Sequence, residues 1–559
     1  MGEKHTFWVT NTEDGRQYQI SAHLAYAGEH VYFWVEDELE YRWDDVYAIA
    51  HTFDQEIFPQ NRQLLGSERP PGIDHDAHIH ILYTPHLAST TAGYYSSVDA
   101  QPARLHHLSN QHDMIFVNAK KADLTGDYTY GVLAHEFAHM IQWAEDVDEE
   151  VWLTEGFSEL ASFLNGYRLG TFVEEYAKKT DIPLTTWPGR DGNATPHYGA
   201  SFLFVDYFLG RFGDQAVRDL VANPLNGMAG VDDVLDTMQA LDPLTNHPLN
   251  TDDMFLDWAI ANHVNRPGIS KGIYVYPNMD SLPEMQPAEK IVVCPTSSLT
   301  RSVNQYAVDY VEILCRGRYG LEFEGTTQTP IFRENARSGR YVFWSGNGDL
   351  IETTLTRTFD LTQARPPLTL IYWTFYDIEK DNDFLYLLIS NDEGRTWQTL
   401  VPQSGQKRHT ALDGFDWGYS GRSNSGRWIQ EKLDLSPYTG QSVALQFRYV
   451  TDGVFSGTGF VLDDISLPEI GYASDFELDD GGWETDGFVR IINALPQSFR
   501  LALVRPGILP GIVRLPLQAD NSLKIPLVVN DEAMLVITAT NPVTDIPAAY
   551  RFRITAAAQ

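Results

Sequence analysis

The stretch VLAHEFAHMIQW, Val132–Trp143, decides the fold of the first half of the chain. At a helical spacing of about 100° per residue, its apolar side chains fall on one stripe of a helix. His135 and His139 are four residues apart, one turn above the other, on the side away from that stripe. The segment therefore predicts an amphipathic helix whose two histidines are either metal ligands or solvent-facing side chains.

The central residues HEFAH, 135–139, match the pattern H-E-x-x-H. In this pattern two imidazoles at i and i+4 bind one zinc ion, and the glutamate, here Glu136, acts as general base. The chain has 17 histidines, so the pattern alone also arises by chance. A zinc hydrolase needs a third protein ligand and an open fourth position for water, and the third ligand is therefore the deciding feature.

The third ligand is predicted in VWLTEGFSELASFL, 151–164, the next helical segment. Glu155 lies sixteen residues beyond His139, and two helices packed side by side through a short connection would bring it to the metal. Glu159, one turn further on, is placed to orient a ligand histidine, as carboxylates around zinc sites do. The alternative is a solvated acidic face. This helix is otherwise apolar, so two acids within it need a partner.

H-E-x-x-H followed by WLTEG, 152–156, resembles the gluzincin metallopeptidases, and WLTEGFSELA is similar to the hyicolysin type. The resemblance covers about residues 1–265. It implies an α+β zincin catalytic domain in which His135, His139 and Glu155 bind Zn²⁺ and Glu136 is the catalytic base. The metzincin pattern requires a third histidine soon after the helix, and the following MIQWAEDVDEE contains none.

Two further segments fit this resemblance. HDMIFVNAK, 112–120, precedes the zinc-binding helix as a strand, where gluzincins place the edge strand that binds extended peptide. HYGASFLFVDYFLG, 197–210, opens a later helix, and its Tyr198, or else His197, is predicted to stabilise the oxyanion of the reaction. The alternative for Tyr198 is an aromatic residue that only packs at a helix start.

Histidines outside the motif are given a simpler interpretation. HDAHIH, 75–80, places His78 and His80 on one strand face, where solvent-exposed histidines are favoured over a second metal site. HHLSNQHD, 106–113, is predicted as a loop near the cleft.

The bulk composition narrows the class of protein. With 559 residues the chain is too long for a single core, so several domains are expected. It carries 76 acidic and 40 basic residues, a formal net charge of −36, which argues against nucleic acid or anionic membrane as a partner. No apolar run reaches the roughly 18 residues of a transmembrane helix. The opening MGEKHTFWVTNTEDG lacks a signal-peptide pattern, and a chain that begins after a removed signal would look the same.

The second half reads as short strands with Gly, Asp and Asn turns, typical of sandwich or jelly-roll modules. The predicted fold class is therefore multidomain, an α+β catalytic domain followed by all-β modules. Its predicted boundaries are a catalytic domain 1–265, a linker 266–290, a bridging β segment 291–335, a β-sandwich 336–495 and a small C-terminal β module 496–559.

The stretches YVFWSGNGDLIETTLTRTFDL and FRYVTDGVFSGTGFVLDDISL, within about 340–495, resemble the C-terminal β region of immune inhibitor A-type secreted metallopeptidases. The zinc helix of that family is of the metzincin type, so the accessory module carries over and the toxin-like substrate preference does not. Glu379, Asp383, Asp463 and Asp464 are predicted ligands of a structural Ca²⁺, with solvated turn acids as the alternative. Trp373 and Trp428 could bind a carbohydrate or surface ligand, although strand aromatics more often belong to the core.

Cys294 and Cys315, the two cysteines of the chain, are either a disulfide or two buried thiols. Taken together, the sequence predicts a secreted zinc endopeptidase that acts on protein or peptide substrates and does not insert into a membrane. The rival hypothesis is a degenerate peptidase that works as an extracellular binding protein through its β modules.

Overall fold

The computed structural model describes residues 2–11, 13–168, 170–188, 192–408, 414–452, 457–505 and 511–557. The chain forms two compact units. Unit 1 comprises residues 1–325, 499–542 and 549–559, and unit 2 comprises 326–498 and 543–548. Unit 2 is therefore inserted into the sequence of unit 1. None of the helices in the described ranges combines the length and the apolar character that crossing a bilayer requires.

Unit 1 begins with a mixed sheet, whose strands are β1 Lys4–Thr10, β2 Gln17–Ala27, β3 Val31–Glu36, β4 Ile79–Thr84, β5 Gly93–Tyr95 and β6 Met114–Asn118. Their order across the sheet is β1-β2-β3-β4-β6-β5. The β3–β4 and β4–β6 pairs are parallel, and β5 runs antiparallel to β6 at the edge. Because side chains alternate along a strand, β4 sends Ile81 into the helical core and Leu82 into a separate core with Trp34 on the other face.

The helices of unit 1 are α1 Trp43–Thr52, α2 Phe58–Leu65, α3 Asp127–Glu145, α4 Val151–Leu164, α5 Phe172–Ala177, α6 Thr195–Phe212, α7 Asp214–Val221, α8 Gly227–Thr237 and α9 Thr251–Val264. A π-helical turn, Phe53–Ile57, joins α1 to α2. The apolar stripe of α3 is buried, with Phe137 packed between the rings of Phe53 and Phe58. Strands followed by helices agree with the mixed α+β arrangement expected for this region.

The remaining strands run in chain order through both units: β7 Glu289–Ile291, β8 Leu299–Val303, β9 Ala307–Ile313, β10 Gly317–Gly325, β11 Gln328–Thr329, β12 Tyr341–Trp344, β13 Glu352–Asp360, β14 Thr369–Asp377, β15 Phe384–Ser390, β16 Gln398–Thr399, β17 Gln406–Lys407, β18 Trp417–Gly418, β19 Ile429–Asp434, β20 Ser442–Val450, β21 Gly459–Leu467, β22 Tyr472–Ser474, β23 Glu484–Asp486, β24 Val489–Ile492, β25 Leu495–Pro496, β26 Ser498–Arg505, β27 Gly511–Leu515, β28 Ser522–Val529, β29 Ala533–Thr540 and β30 Ala548–Ala556.

Unit 1 contains two of the resulting sheets, ordered β28-β10-β30-β8 and β27-β26-β29-β9-β7. The strands before and after unit 2 therefore pair with one another, and β10 lies between β28 and β30. This differs from the division drawn from the sequence, in which 291–335 is a bridge and 496–559 a module of its own. Ala502 of β26 and Val536 of β29 also belong to the same buried cluster as Trp258 of α9.

Unit 2 is built from two larger antiparallel sheets, ordered β19-β14-β21-β12-β24, with β22 on β21, and β16-β15-β20-β13-β23. Alternate side chains of both sheets form one buried cluster that includes Tyr372, Leu387, Phe447 and Phe460. The β-rich character predicted for this part of the chain is confirmed.

Cys294 and Cys315 are joined in a disulfide, within unit 1. It links the segment after β7 to the segment between β9 and β10.

Candidate metal centre

The two histidines of α3 point toward α4. Their Nε2 atoms are 3.1 Å apart, as expected for side chains one helical turn apart that face the same point. His135 is buried, and His139 is half-buried. Of the two possibilities raised by the sequence, solvent-facing side chains are not what the structure contains, because α4 covers this side of α3.

Residues 146–150 connect α3 to α4, and the two helices pack side by side. Gln142 donates from Nε2 to the carbonyl oxygen of Thr154 and to the hydroxyl of Ser158. Ser162, further along α4, donates to the carbonyl oxygen of Gly131. These bonds fix the rotation and the sliding of one helix against the other.

This packing brings Glu155 to the two histidines. Its Oε2 lies 3.2 Å from Nε2 of His135 and 3.6 Å from Nε2 of His139. The three ligand atoms all lie within 4.8 Å of one another. Metal–ligand bonds of about 2.0–2.1 Å in a tetrahedron place ligand atoms about 3.3 Å apart, so the observed spacing fits a zinc ion.

The hydrogen-bonding state of the site supports a cation at this point. Nδ1 of His135 lies 3.2 Å from Oε1 of Glu159, so this carboxylate is placed to orient the imidazole. Oε2 of Glu155 is buried and has no hydrogen-bond partner among the described residues. A buried carboxylate oxygen without a hydrogen-bond partner is unfavourable, and a cation shared with Nε2 of His135, 3.2 Å away, would satisfy it.

The electrostatics of these groups point the same way. Burial alone would lower the pKa of His135, but the carboxylates of Glu155 and Glu159 outweigh it and hold this pKa well above its ordinary value. Burial would raise the pKa of Glu155, and the two imidazoles reverse this and leave it below the ordinary value. The carboxylates and the imidazoles thus offset the effect of burial on each other's pKa, as they do around a metal.

Glu136 lies between the cluster and the edge strand. Its Oε2 accepts a hydrogen bond of 2.8 Å from the backbone N–H of Tyr95, which ends β5. Burial raises the pKa of Glu136, and the neighbouring imidazoles of His135 and His139 offset part of the rise. A carboxylate with a raised pKa beside a metal site is suited to accept and return a proton.

The edge strand is not the one expected from the sequence. HDMIFVNAK forms β6, which is paired on both sides, by β4 and by β5. The free edge belongs to β5, Gly93–Tyr95, within AGYYSS. Three residues are too short a run to give a period-2 pattern, and the contact from Tyr95 to Glu136 could not be predicted for that reason.

Tyr198, in the first turn of α6, lies beside the cluster, with its ring 6.4 Å from that of His135. It stacks on Phe172 at 5.0 Å. Burial and the carboxylates of Glu155, Glu159 and Glu136 raise the pKa of Tyr198 well above its ordinary value, so the phenol remains a donor. His197, the alternative, has its ring 5.9 Å from that of Trp187, whose ring also lies 4.9 Å from that of Tyr198.

A cavity of about 440 Å³ extends from the β5 edge. Its lining includes Tyr94 and Tyr95 together with His106 and His107 from the loop before β6. The loop predicted to lie near the cleft thus borders a cavity beside β5, and none of His135, His139 and Glu155 lines that cavity.

The acidic residues proposed for calcium fall into two places within unit 2. Glu379 and Asp383 lie with Asp452, which the sequence analysis missed, and their ligand atoms are within 4.8 Å of one another. Asp463 accepts hydrogen bonds from the backbone of Arg337 and Ser338. Asp464 accepts from the hydroxyl of Ser338, so this pair of acids holds a loop. A structural Ca²⁺ at Glu379 and Asp383 stays a prediction.

The two tryptophans proposed for carbohydrate are engaged within unit 2. The guanidinium of Arg337 lies 4.1 Å from the ring centre of Trp373. Trp428 donates from its indole nitrogen to the carbonyl oxygen of Asn335 and packs edge-on against Phe375. Carbohydrate binding also stays a prediction.

Comparison with known proteins finds a family match in the second half of the chain. The family described as "Immune inhibitor A-like, MAM domain" matches residues 327–491, nearly the extent of unit 2. The resemblance drawn for this β region is therefore confirmed.

Curated proteins with similar segments are named metalloproteases or immune inhibitors. Immune inhibitor A of Bacillus thuringiensis subsp. alesti is 33% identical over 130 residues, 23% of this chain and 17% of that protein. Pre-pro-metalloprotease PrtV of Vibrio cholerae serotype O1, strain M66-2, is 32% identical over 133 residues, 23% of this chain and 13% of that protein. The matching segments thus span less than a fifth of the length of these relatives.

Proposed function

We propose that this chain is a zinc-dependent peptidase of the gluzincin type, a secreted endopeptidase that hydrolyses peptide bonds of protein substrates. The observation that carries the proposal is the convergence of His135, His139 and Glu155, three acceptor groups in a buried place. The names of the relatives support a metallopeptidase in general. The gluzincin type, the zinc ion and secretion are the finer parts of the proposal.

Each residue of the site has a separate proposed role. His135, His139 and Glu155 would hold Zn²⁺, which when bound polarises the scissile carbonyl and acidifies a water molecule. Glu136, held by the N–H of Tyr95, would accept a proton from the attacking water and pass it to the leaving amine. Tyr198 would donate a hydrogen bond to the oxyanion that develops on the scissile carbonyl. Glu159 orients the imidazole of His135.

The substrate is proposed to bind as an extended strand along β5, since this strand has a free edge next to Glu136. The cavity lined by Tyr94 and His107 would take substrate side chains on this side. An extended polypeptide suits this edge better than a compact small molecule.

The test compares zinc content and casein cleavage of the wild type with those of Glu136→Gln. The variant is expected to keep one zinc at His135, His139 and Glu155, and to lose cleavage by a factor of about 10² or more, because the water has no base. Glu145→Gln, the same chemical change at the exposed end of α3, is the matched control and should cleave normally.

Two results would contradict the proposal. Full cleavage by Glu136→Gln would show that Glu136 is not the base. A zinc content unchanged by His139→Ala would show that these residues are not the zinc ligands. Zinc with no cleavage of casein or of a peptide library would favour the rival function, an extracellular binding protein that works through unit 2. That rival is supported by the extent of the family match, which covers unit 2 and not the helices α3 and α4.

A further inference from the structure

A second group of ligand-type side chains lies on the opposite face of the N-terminal sheet. Asp74 comes from the loop before β4, His80 lies on β4, and His112 comes from the loop before β6. Their ligand atoms all lie within 4.8 Å of one another. The interpretation of His80 as a solvent-exposed strand histidine is wrong, because its side chain is only 6% exposed.

The side chain of His80 is buried together with both of its ring nitrogens. Neither of its ring nitrogens has a hydrogen-bond partner in the described part of the chain. Its Nε2 is 3.9 Å from Oδ2 of Asp74, which is too long for a hydrogen bond. β4 is paired on both sides, so the imidazole cannot reach water by a small shift at a sheet edge. An imidazole buried in this way is unfavourable unless a ligand takes its lone pair.

The carboxylate of Asp74 is already held toward the two imidazoles. Its Oδ1 accepts from the backbone N–H of Asp76 at 3.0 Å, which fixes its orientation. Its Oδ2 lies 2.5 Å from Nδ1 of His112 and faces Nε2 of His80. The rings of His80 and His112 stack with their centres 4.0 Å apart. An ion pair between Asp74 and His112 accounts for these two residues but leaves His80 unexplained.

We propose that Asp74, His80 and His112 form a second metal site, independent of the site on α3 and α4. Two imidazoles and one carboxylate are the donors of a borderline cation such as Zn²⁺. Ca²⁺ and Mg²⁺ prefer oxygen ligands alone.

The role of this site is structural. It ties two loops, those that carry Asp74 and His112, to the middle of the sheet. His112 also donates its backbone N–H to the carbonyl of Asp99, so the site anchors the loop whose His106 and His107 line the cavity beside β5.

The test measures zinc by mass spectrometry in protein purified without a histidine tag, and adds Co²⁺ as a spectroscopic probe. The wild type is expected to hold two metal ions per chain. Asp74→Asn and His112→Asn are each expected to hold one, since each removes one ligand. His75→Asn is the matched control and should hold two: His75 is exposed, and asparagine tolerates its positive φ of 63°.

His139→Ala separates this proposal from the proposed function. It should hold one metal ion, and its Co²⁺ form should show a visible d–d absorption that disappears in the double variant with His112→Asn. Circular dichroism checks that each variant is folded. If Asp74→Asn does not fold, the metal content of His112→Asn, a change in a loop, decides the test. A wild type with a single metal ion that His139→Ala removes would overturn the second site. Two metal ions that neither Asp74→Asn nor His112→Asn reduces would overturn it as well.

Discussion

At the scale of single residues, the proposed role of Tyr198 can be tested by removing one hydroxyl group. Burial and the carboxylates of Glu155, Glu159 and Glu136 raise the pKa of Tyr198 well above its ordinary value, so the phenol stays protonated at neutral pH. A phenol that only packs would be replaceable by phenylalanine at little cost.

Tyr198→Phe is expected to lower kcat about 10²–10³-fold and to leave zinc content unchanged, because one donor to the oxyanion is lost while the ring still stacks on Phe172. Steady-state kinetics on a peptide and metal analysis check this. Tyr167→Phe, a change of the same kind at a half-buried tyrosine, should leave kcat unchanged. A kcat for Tyr198→Phe within a factor of three of the wild type would mean that Tyr198 packs and nothing more.

Residue spacing was enough to predict that His135, His139 and Glu155 lie together, but not which other residues surround them. His135, His139 and Glu155 are tied to one another by two helices and a short connection, so local periodicity placed them correctly relative to each other. Strand pairing and loops that are distant in sequence determine where Tyr95, Asp74 and His112 lie. No periodic pattern reports which loop reaches which strand.

At the scale of elements, the connection between α3 and α4 holds a titratable group that links stability to pH. Oε1 of Glu149 accepts hydrogen bonds from the backbone N–H groups of Gly227, at the start of α8, and of Glu150. Its Oε2 is buried without a partner in the described residues. Burial raises the pKa of Glu149 to about 8, so the folded protein favours the neutral acid.

Glu149→Gln is therefore expected to stabilise the protein at pH 8.5 and to have little effect at pH 4.5. A raised pKa means that the stability tied to protonation is present below about pH 4.5 and is lost as pH rises through about 8. The amide stays neutral and avoids this loss, so the gap reaches on the order of a few kcal/mol, at about 1.4 kcal/mol per pKa unit.

Thermal unfolding at both pH values measures this gap. Glu145→Gln, which removes the same charge at the exposed end of α3, should show none. Equal shifts in Tm for Glu149→Gln at the two pH values would show that folding does not raise the pKa of Glu149.

At the scale of the whole molecule, buried charges join the C-terminal strands of unit 1 to its helices. Nη2 of Arg514, on β27, lies 2.6 Å from Oδ1 of Asp257 on α9, whose side chain is fully buried. Nη1 of Arg211, on α6, lies 2.7 Å from the other oxygen of Asp257. Arg514 also pairs with Asp242.

Arg514→Met is expected to destabilise unit 1 by about 3 kcal/mol or more, because Asp257 would keep its charge in the interior with only Arg211 to balance it. Urea unfolding measures the change. The matched control is Arg316→Met, which breaks an exposed pair with Asp531 and should cost less than about 1 kcal/mol. Similar losses for the two variants would show that the buried network contributes no more than a surface ion pair.

The sequence could not predict how the β half divides between the two units. Each strand was recognisable by its own composition, but a strand does not show which other strand it pairs with. β10 pairs with β28, about two hundred residues further along the chain, because unit 2 is inserted between them. A division made by consecutive boundaries therefore separated strands that belong to one sheet.

This pairing predicts which fragment of the chain can fold. A chain that ends at residue 265, the boundary expected from the sequence, lacks Ala502, Val504, Met534 and Val536, which share the buried core of the helices. That fragment is expected to be insoluble or to lose its zinc, since apolar surface of α9 would face water.

A chain in which residues 327–497 are replaced by a short Gly-Ser linker keeps every strand of the two unit 1 sheets. Gly325 and Phe499, at the junction, are already close. This second protein should be soluble, bind zinc and cleave casein. A soluble, zinc-binding fragment 1–265 would instead show that the C-terminal strands only cover a catalytic domain that folds without them.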